Sequence, residues 1–135
     1  MEKGSVILAY VRFQGKLLLM KRSAISRSFP HLWSIVTGHI ELGDGDSLLA
    51  AVREIYEETG ITPDRLQLVK RLAPFKAKMS DRTRIVHPFL FDALTNDVRL
   101  NDEHAGFAWI DHSELDNYHC VEGLDLVWKR LHEKS

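Results

Sequence analysis

Apolar residues fall in short bursts along this chain. Residues 5–11 and 16–22 are β-branched or leucine-rich runs around "FQGK", and they predict two buried strands joined by a turn at Gly15. "SAISRSFPHLWSIVTG" is polar and then apolar, a loop leading into a short strand over 33–36. A Gly/Asp-rich loop follows at 43–46, with Asp46 or Ser47 placed to cap a helix. That helix is expected to run to about Thr59, with Gly60 as its stop and Pro63 beyond. Residues 66–72 partly alternate, and 84–93 predict a strand whose Pro88 implies a sheet edge or a bulge. Residues 107–110 are a further short strand. Leu124, Val127, Trp128 and Leu131 recur at helical spacing and predict a C-terminal amphipathic helix. No repeat, low-complexity segment or linker divides the chain, so one domain over 1–135 is expected. Strands and helices mix without a regular βαβ rhythm, which favours an α+β fold or a mixed-sheet sandwich.

Composition narrows the classes. With 44% hydrophobic and 27% charged residues, the chain can bury a core and is not of the disordered type. A formal net charge of −1 gives no global attraction to nucleic acid or anionic membranes, so an anionic partner has to be handled locally. The single cysteine, Cys120, excludes an internal disulfide, suits a reducing compartment, and is expected to be inert and partly buried. The apolar runs near the N-terminus are broken by Arg12, Gln14, Gly15 and Lys16, too interrupted for a signal peptide or a membrane span. A cytoplasmic location is the expectation.

The predicted helix carries an unusual cluster: Glu54, Glu57 and Glu58 beside Arg53. At about 100° per residue, Leu48, Val52, Ile55 and Thr59, flanked by Ala51 and Leu49, form a stripe for packing on a sheet. The three acids occupy a neighbouring arc, Glu58 nearest the buried edge and Glu57 furthest from it. Acids at these spacings repel by about a few tenths of a kcal/mol per pair. The last two also face the negative end of the helix dipole before Gly60. A divalent cation resolves the clash. Mg²⁺ takes hard oxygen ligands, keeps several waters and commonly partners substrate phosphates.

The stretch "GHIELGDGDSLLAAVREIYEETGI", residues 38–61, resembles the Nudix box, G-x5-E-x7-R-E-U-x-E-E-x-G-U with U a bulky aliphatic residue. Gly38 matches the first glycine, and Arg53, Glu54, Ile55, Glu57, Glu58, Gly60 and Ile61 match the second half without a gap. Arg53 follows Gly38 by fifteen positions where the pattern has fourteen. The extra residue lies in "GDGDS", and Asp44 or Asp46 stands where the family has glutamate. The insertion precedes the helix, so it is expected to reshape the loop and leave the three glutamates' relation intact. "DGD" is not a calcium loop, because Ser47, Leu48 and Leu49 follow.

The resemblance implies the Nudix fold, a mixed sheet between the box helix and a C-terminal helix. It also implies Mg²⁺- or Mn²⁺-dependent hydrolysis of a diphosphate bond in a nucleoside diphosphate-linked compound. By the same likeness Glu57 and Glu58 are metal ligands, and Glu54 is a ligand or the base that activates water. Arg53 orients a glutamate, and a carbonyl near Thr37 or Gly38 completes the metal shell. "EHAGFAWID" resembles the family's glutamate before a tryptophan-containing strand, making Glu103 an extra ligand or general base from a loop, with Trp109 in the core. Arg22, helped by Lys21, is a candidate for phosphate. His39, Trp33 and His31 flank the box as candidate cleft residues. Phe75 and Phe89 are expected in the core, with base stacking as the alternative. Lys70, Arg71, Lys76, Lys78, Arg82 and Arg84 read as a solvated basic face or a guide for an anionic substrate. The flanks look most like the branch acting on nucleoside triphosphates or dihydroneopterin triphosphate. Dinucleoside polyphosphate hydrolysis and non-catalytic nucleotide sensing are the alternatives. The expected partner is a small nucleotide or nucleotide derivative, with no nucleic acid and no membrane, bound by a monomer or homodimer.

Overall fold

The computed structural model describes residues 4–26, 29–79 and 82–132, except the side chain of Met79. Strand alternation sets the architecture. In β1 (Ser5–Phe13), Ile7, Ala9 and Val11 point into one core while Leu8 and Tyr10 point into another. In β2 (Lys16–Arg22), Leu18 and Met20 join the first core and Leu17 and Leu19 the second. A sheet that is apolar on both faces needs a cover on each. Helix α1 (Ser47–Thr59) covers the first and α2 (Leu124–His132) the second. Trp128 of α2 stacks on Tyr10 at 5.7 Å, and the Tyr10 hydroxyl donates to the Leu124 carbonyl at 2.8 Å.

The remaining strands are β3 (Trp33–Ser34), β4 (Val36–His39), β5 (Leu66–Arg71), β6 (Phe75–Met79), β7 (Arg82–Ala93) and β8 (His104–Ile110). The main path runs β3-β2-β1-β7-β5, with β4 paired to β1, β6 to β7 and β8 to β2. β1 and β7 are parallel, from Ser5 opposite Ile85 to Arg12 opposite Asp92; the other pairs described are antiparallel. The mixed sheet between two helices agrees with the expected fold. Among the described residues, no helix is long and apolar enough to cross a membrane.

Five local expectations are corrected. Pro88 lies inside the sheet, not at its edge: β7 has β1 on one side and β5 and β6 on the other. The Pro88 carbonyl accepts from Leu72 N–H on the β5 side, so the missing donor falls where β7 changes partner from β6 to β5. Residues 75–79, read as part of a basic run with Phe75 expected in the core, form β6. Residues 33–36 are two strands divided at Ile35, one paired with β2 and the other with β1. β8 begins at His104, so Glu103 sits at a strand entrance.

The fifth correction concerns the face of α1. Ala50, Ala51, Ile55, Glu58 and Thr59 are buried, Leu48 and Val52 are partly buried, and Leu49 is exposed. The buried arc is turned by roughly 60° from the expected stripe, toward the acids. Two alanines allow close approach to the sheet there, and the rotation carries Glu58 inward.

Candidate metal and nucleotide site

Helix α1 is fixed at both ends. Asp46 is the N-cap, its carboxylate accepting from Leu49 N–H at 2.9 Å. Gly60 closes the helix at φ 77°, donating its N–H to the Tyr56 carbonyl. The Thr59 hydroxyl donates to the Ile55 carbonyl at 2.6 Å and accepts from Ile61 N–H, while Arg99 N–H binds the Thr59 carbonyl. The acid-bearing end of the helix is therefore held by its own polar groups.

The acids are graded in burial as expected, with side chains 4% exposed at Glu58, 13% at Glu54 and 51% at Glu57. Glu54 and Glu58, one turn apart, hydrogen-bond to each other. Burial, and then the charge of Glu54, push Glu58 well above the ordinary carboxylate range. Burial also raises Glu54, against the lowering effect of its bond with Glu58 and of Arg53. Gly38 of β4 packs directly on the Glu54 carboxylate, and a Cβ at that position would overlap it.

Arg53 gathers the rest. It donates to Asp44 at 2.6 and 3.0 Å, to Glu57 at 3.1 and 3.2 Å, to Glu54 at 3.3 Å, and to the His39 carbonyl at 3.1 Å. Its bond with Asp44 holds that carboxyl below its usual range and keeps the guanidinium charged. The inserted loop thus divides its two aspartates, Asp44 binding Arg53 and Asp46 capping the helix.

On the far side of Glu58 stands His104, the first residue of β8. Its side chain is 1% exposed, and its Nε2 lies 3.9 Å from Glu58 Oε1. Burial, and then the charge of Arg22, bring it down to about 4. Glu103 is exposed and close enough for its charge to raise Glu58 further. The Glu103 N–H donates to Asn101 Oδ1, and its carbonyl accepts from Ser23 N–H. Arg22 binds Ser26 Oγ at 3.2 and 3.0 Å and acts electrostatically on both Glu58 and His104.

Other sequence candidates lie elsewhere. Lys21 shares the strand face of Leu17 and Leu19, opposite α1. Trp33 packs edge-on against Tyr118 at 5.0 Å in the second core, so it does not meet the glutamates. His31 is exposed, with φ 68°. The group of His39 that is engaged is its carbonyl. Trp109 packs against the first core and donates Nε1–H to the Asn96 carbonyl. Phe89 is sealed in that core, whereas Phe75 lines a cleft.

That cleft, about 350 Å³, opens on the α2 face. Its floor crosses four strands through Thr37, Leu8, Val86 and Ala77, under Val121 and Leu124. No sequence signal marked it, because its floor comes from segments distant in the chain. Thr37, at one end, is followed by Gly38, so the cleft and the carboxylates meet across β4. β4 pairs with β1 only, which leaves its outer edge open among the described strands.

The donor set fits a hard divalent ion: largely buried carboxylate oxygens one helical turn apart, with a sterically required glycine beside them. Among the described residues no three such groups are already gathered around one point, since Glu57 is turned onto Arg53.

Comparison with known proteins bears on the fold and the family. A 53-residue stretch is 47% identical to the m7GpppN-mRNA hydrolase NUDT17 of Danio rerio, covering 38% of this chain and 17% of that protein. The nucleoside triphosphatase NudI of Klebsiella pneumoniae is 27% identical over 132 aligned positions, covering 87% of this chain and 89% of that one. Among solved structures, the E. coli dihydroneopterin triphosphate pyrophosphohydrolase superposes with a TM-score of 0.78 at 19% identity, over 96% of this chain and 94% of that one, a likeness of fold. The NUDIX domain model matches residues 1–126, and the chain belongs to that family.

Proposed function

We propose that this protein is a Mg²⁺- or Mn²⁺-dependent hydrolase that cleaves a diphosphate bond in a nucleoside triphosphate or a related nucleoside diphosphate-linked compound. The observation that carries this reading is the Glu54–Glu58 pair, carboxyls one helical turn apart with side chains only 13% and 4% exposed, Glu54 lying directly against Gly38. Burying a carboxylate costs several kcal/mol even when it is partly compensated, and the packing of α1 by itself gives no reason for two of them.

Glu58, Glu57 and Glu54 are the proposed metal ligands, with the Gly38 carbonyl completing the shell and Glu103 as an additional ligand. A bound divalent ion supplies neutralisation of the phosphoryl oxygens and lowers the pKa of water. Arg53 fixes Glu54 and Glu57 by its hydrogen bonds and leaves the direct contact to them. Arg22 stands on the α1 face to bind a phosphate by its guanidinium fork. Water attacks one phosphorus, the bridging P–O bond breaks, and the proton from water passes to Glu54 or Glu103. The cleft takes the nucleoside, so the phosphate chain passes over the open edge of β4 at Thr37 and Gly38. An apolar floor with Phe75 at one end suits a flat ring system. A nucleotide hydrolase with a single, half-buried thiol suits the cytoplasm.

The test is a panel of nucleoside triphosphates, dinucleoside polyphosphates and nucleotide conjugates, incubated with Mg²⁺ or Mn²⁺ and resolved by mass. Phosphoanhydride products formed only with metal are expected. Binding without cleavage across the panel would replace this reading with nucleotide sensing.

A further inference from the structure

His104 is out of place for a residue that merely packs. Its side chain is 1% exposed, and among the described residues neither ring nitrogen has a hydrogen-bond partner. A leucine would fill such a site without a polar atom left over. Two charged groups face the ring. The guanidinium of Arg22 carries donors only, which leaves Glu58, with Oε1 at 3.9 Å, as the acceptor nearest the ring. The backbone adds a second link, because the His104 N–H donates to the Asn101 carbonyl and Asn101 Oδ1 accepts from Glu103 N–H. One short turn thus joins the imidazole against Glu58 to the carboxylate of Glu103.

We infer that His104 is a positioning residue: its Nε2–H holds Glu58 in the orientation that binds the metal, and its strand entrance keeps Glu103 beside the same carboxylate. The inference rests on the proposed metal-dependent hydrolysis. The observed gap is longer than a hydrogen bond while Glu58 is bonded to Glu54. Were a cation to take the place of that bond, Glu58 Oε1 would be free to accept from the imidazole. Groups that hydrogen-bond to ligating carboxylates orient them, and losing one typically lowers metal affinity about 10–100-fold.

The experiment titrates Mn²⁺ into nucleotide-free protein, following free Mn²⁺ by electron paramagnetic resonance, with melting temperature and turnover measured alongside. His104→Leu is expected to keep the fold and weaken Mn²⁺ binding about tenfold or more. His104→Gln, which restores an amide N–H, is expected to recover most of that loss. In a Glu58→Gln background, His104→Leu should cost nothing further, because its effect passes through Glu58. Wild-type Mn²⁺ affinity in a folded His104→Leu protein would overturn the inference, as would an equal loss with and without Glu58. Should the leucine variant not fold, the same cycle with His104→Met decides by the same outcomes. If the wild-type protein itself binds no Mn²⁺ and cleaves nothing, the fault lies in the proposed function.

Discussion

Asp44 grips Arg53 with two hydrogen bonds, at 2.6 and 3.0 Å, and Arg53 grips Glu57 in turn. A loop residue nine positions upstream thereby controls the posture of a candidate metal ligand. Asp44→Asn should weaken the charge-assisted pair and lower turnover by about tenfold or more, with little change in substrate KM. The Arg53 pairing lowers the Asp44 pKa, so its stabilisation is present above the ordinary carboxylate range and is lost as pH falls through the folded-state value. The acid limb of a thermal-melting series on the wild type and Asp44→Asn should show that difference.

Asp46 makes the complementary case. Its carboxylate caps α1 and touches neither Arg53 nor the acids among the contacts described. Asp46→Ala is expected to cost about 1 kcal/mol of stability while leaving turnover within about twofold of wild type. Chemical denaturation and an activity assay check the two halves separately.

Glu54→Gln and Glu57→Gln should each reduce turnover by about a hundredfold or more without unfolding the protein. Circular dichroism verifies the fold and steady-state kinetics the loss. Wild-type rates in both variants would remove these residues from the chemistry.

Gly38→Ala places a methyl group on the Glu54 carboxylate. The side chain must move, so turnover should fall by about tenfold or more. The same change in a Glu54→Ala background should be nearly silent. Kinetics on the four proteins of this cycle provide the check.

Ala77→Trp fills part of the cleft floor, away from the carboxylates. It should raise KM for the preferred nucleotide by about tenfold and leave Mn²⁺ affinity unchanged. A change in both quantities would disconnect the cleft from nucleotide binding.

Burial lifts the Cys120 thiol to about 11, so only a small fraction is thiolate at pH 8. Alkylation of the folded protein should be slow and should rise about tenfold per pH unit through the alkaline range. Fast labelling at pH 7 would show an exposed or activated thiol instead.

Much of this was readable in the chain because the signals are local. The cap at Asp46, the stop at Gly60 and the spacing of Glu54, Glu57 and Glu58 need only helical geometry. The alternation in β1 and β2 shows both faces directly. β6 escaped notice because Lys76 and Lys78 interrupt the apolar residues Phe75, Ala77 and Met79. Pro88 misled because its missing donor falls in a gap made by two other strands, which no window along the chain contains.

By itself, then, the sequence determined the helix, its caps, the ordered acids and the family they resemble, since each follows from residues within a few turns of one another. Tertiary structure decided how far α1 is rotated, which aspartate meets Arg53, that Gly38 lies on Glu54, and that His104 closes over Glu58. Those depend on where distant strands bring their side chains in a close-packed interior, and spacing along one chain does not encode that.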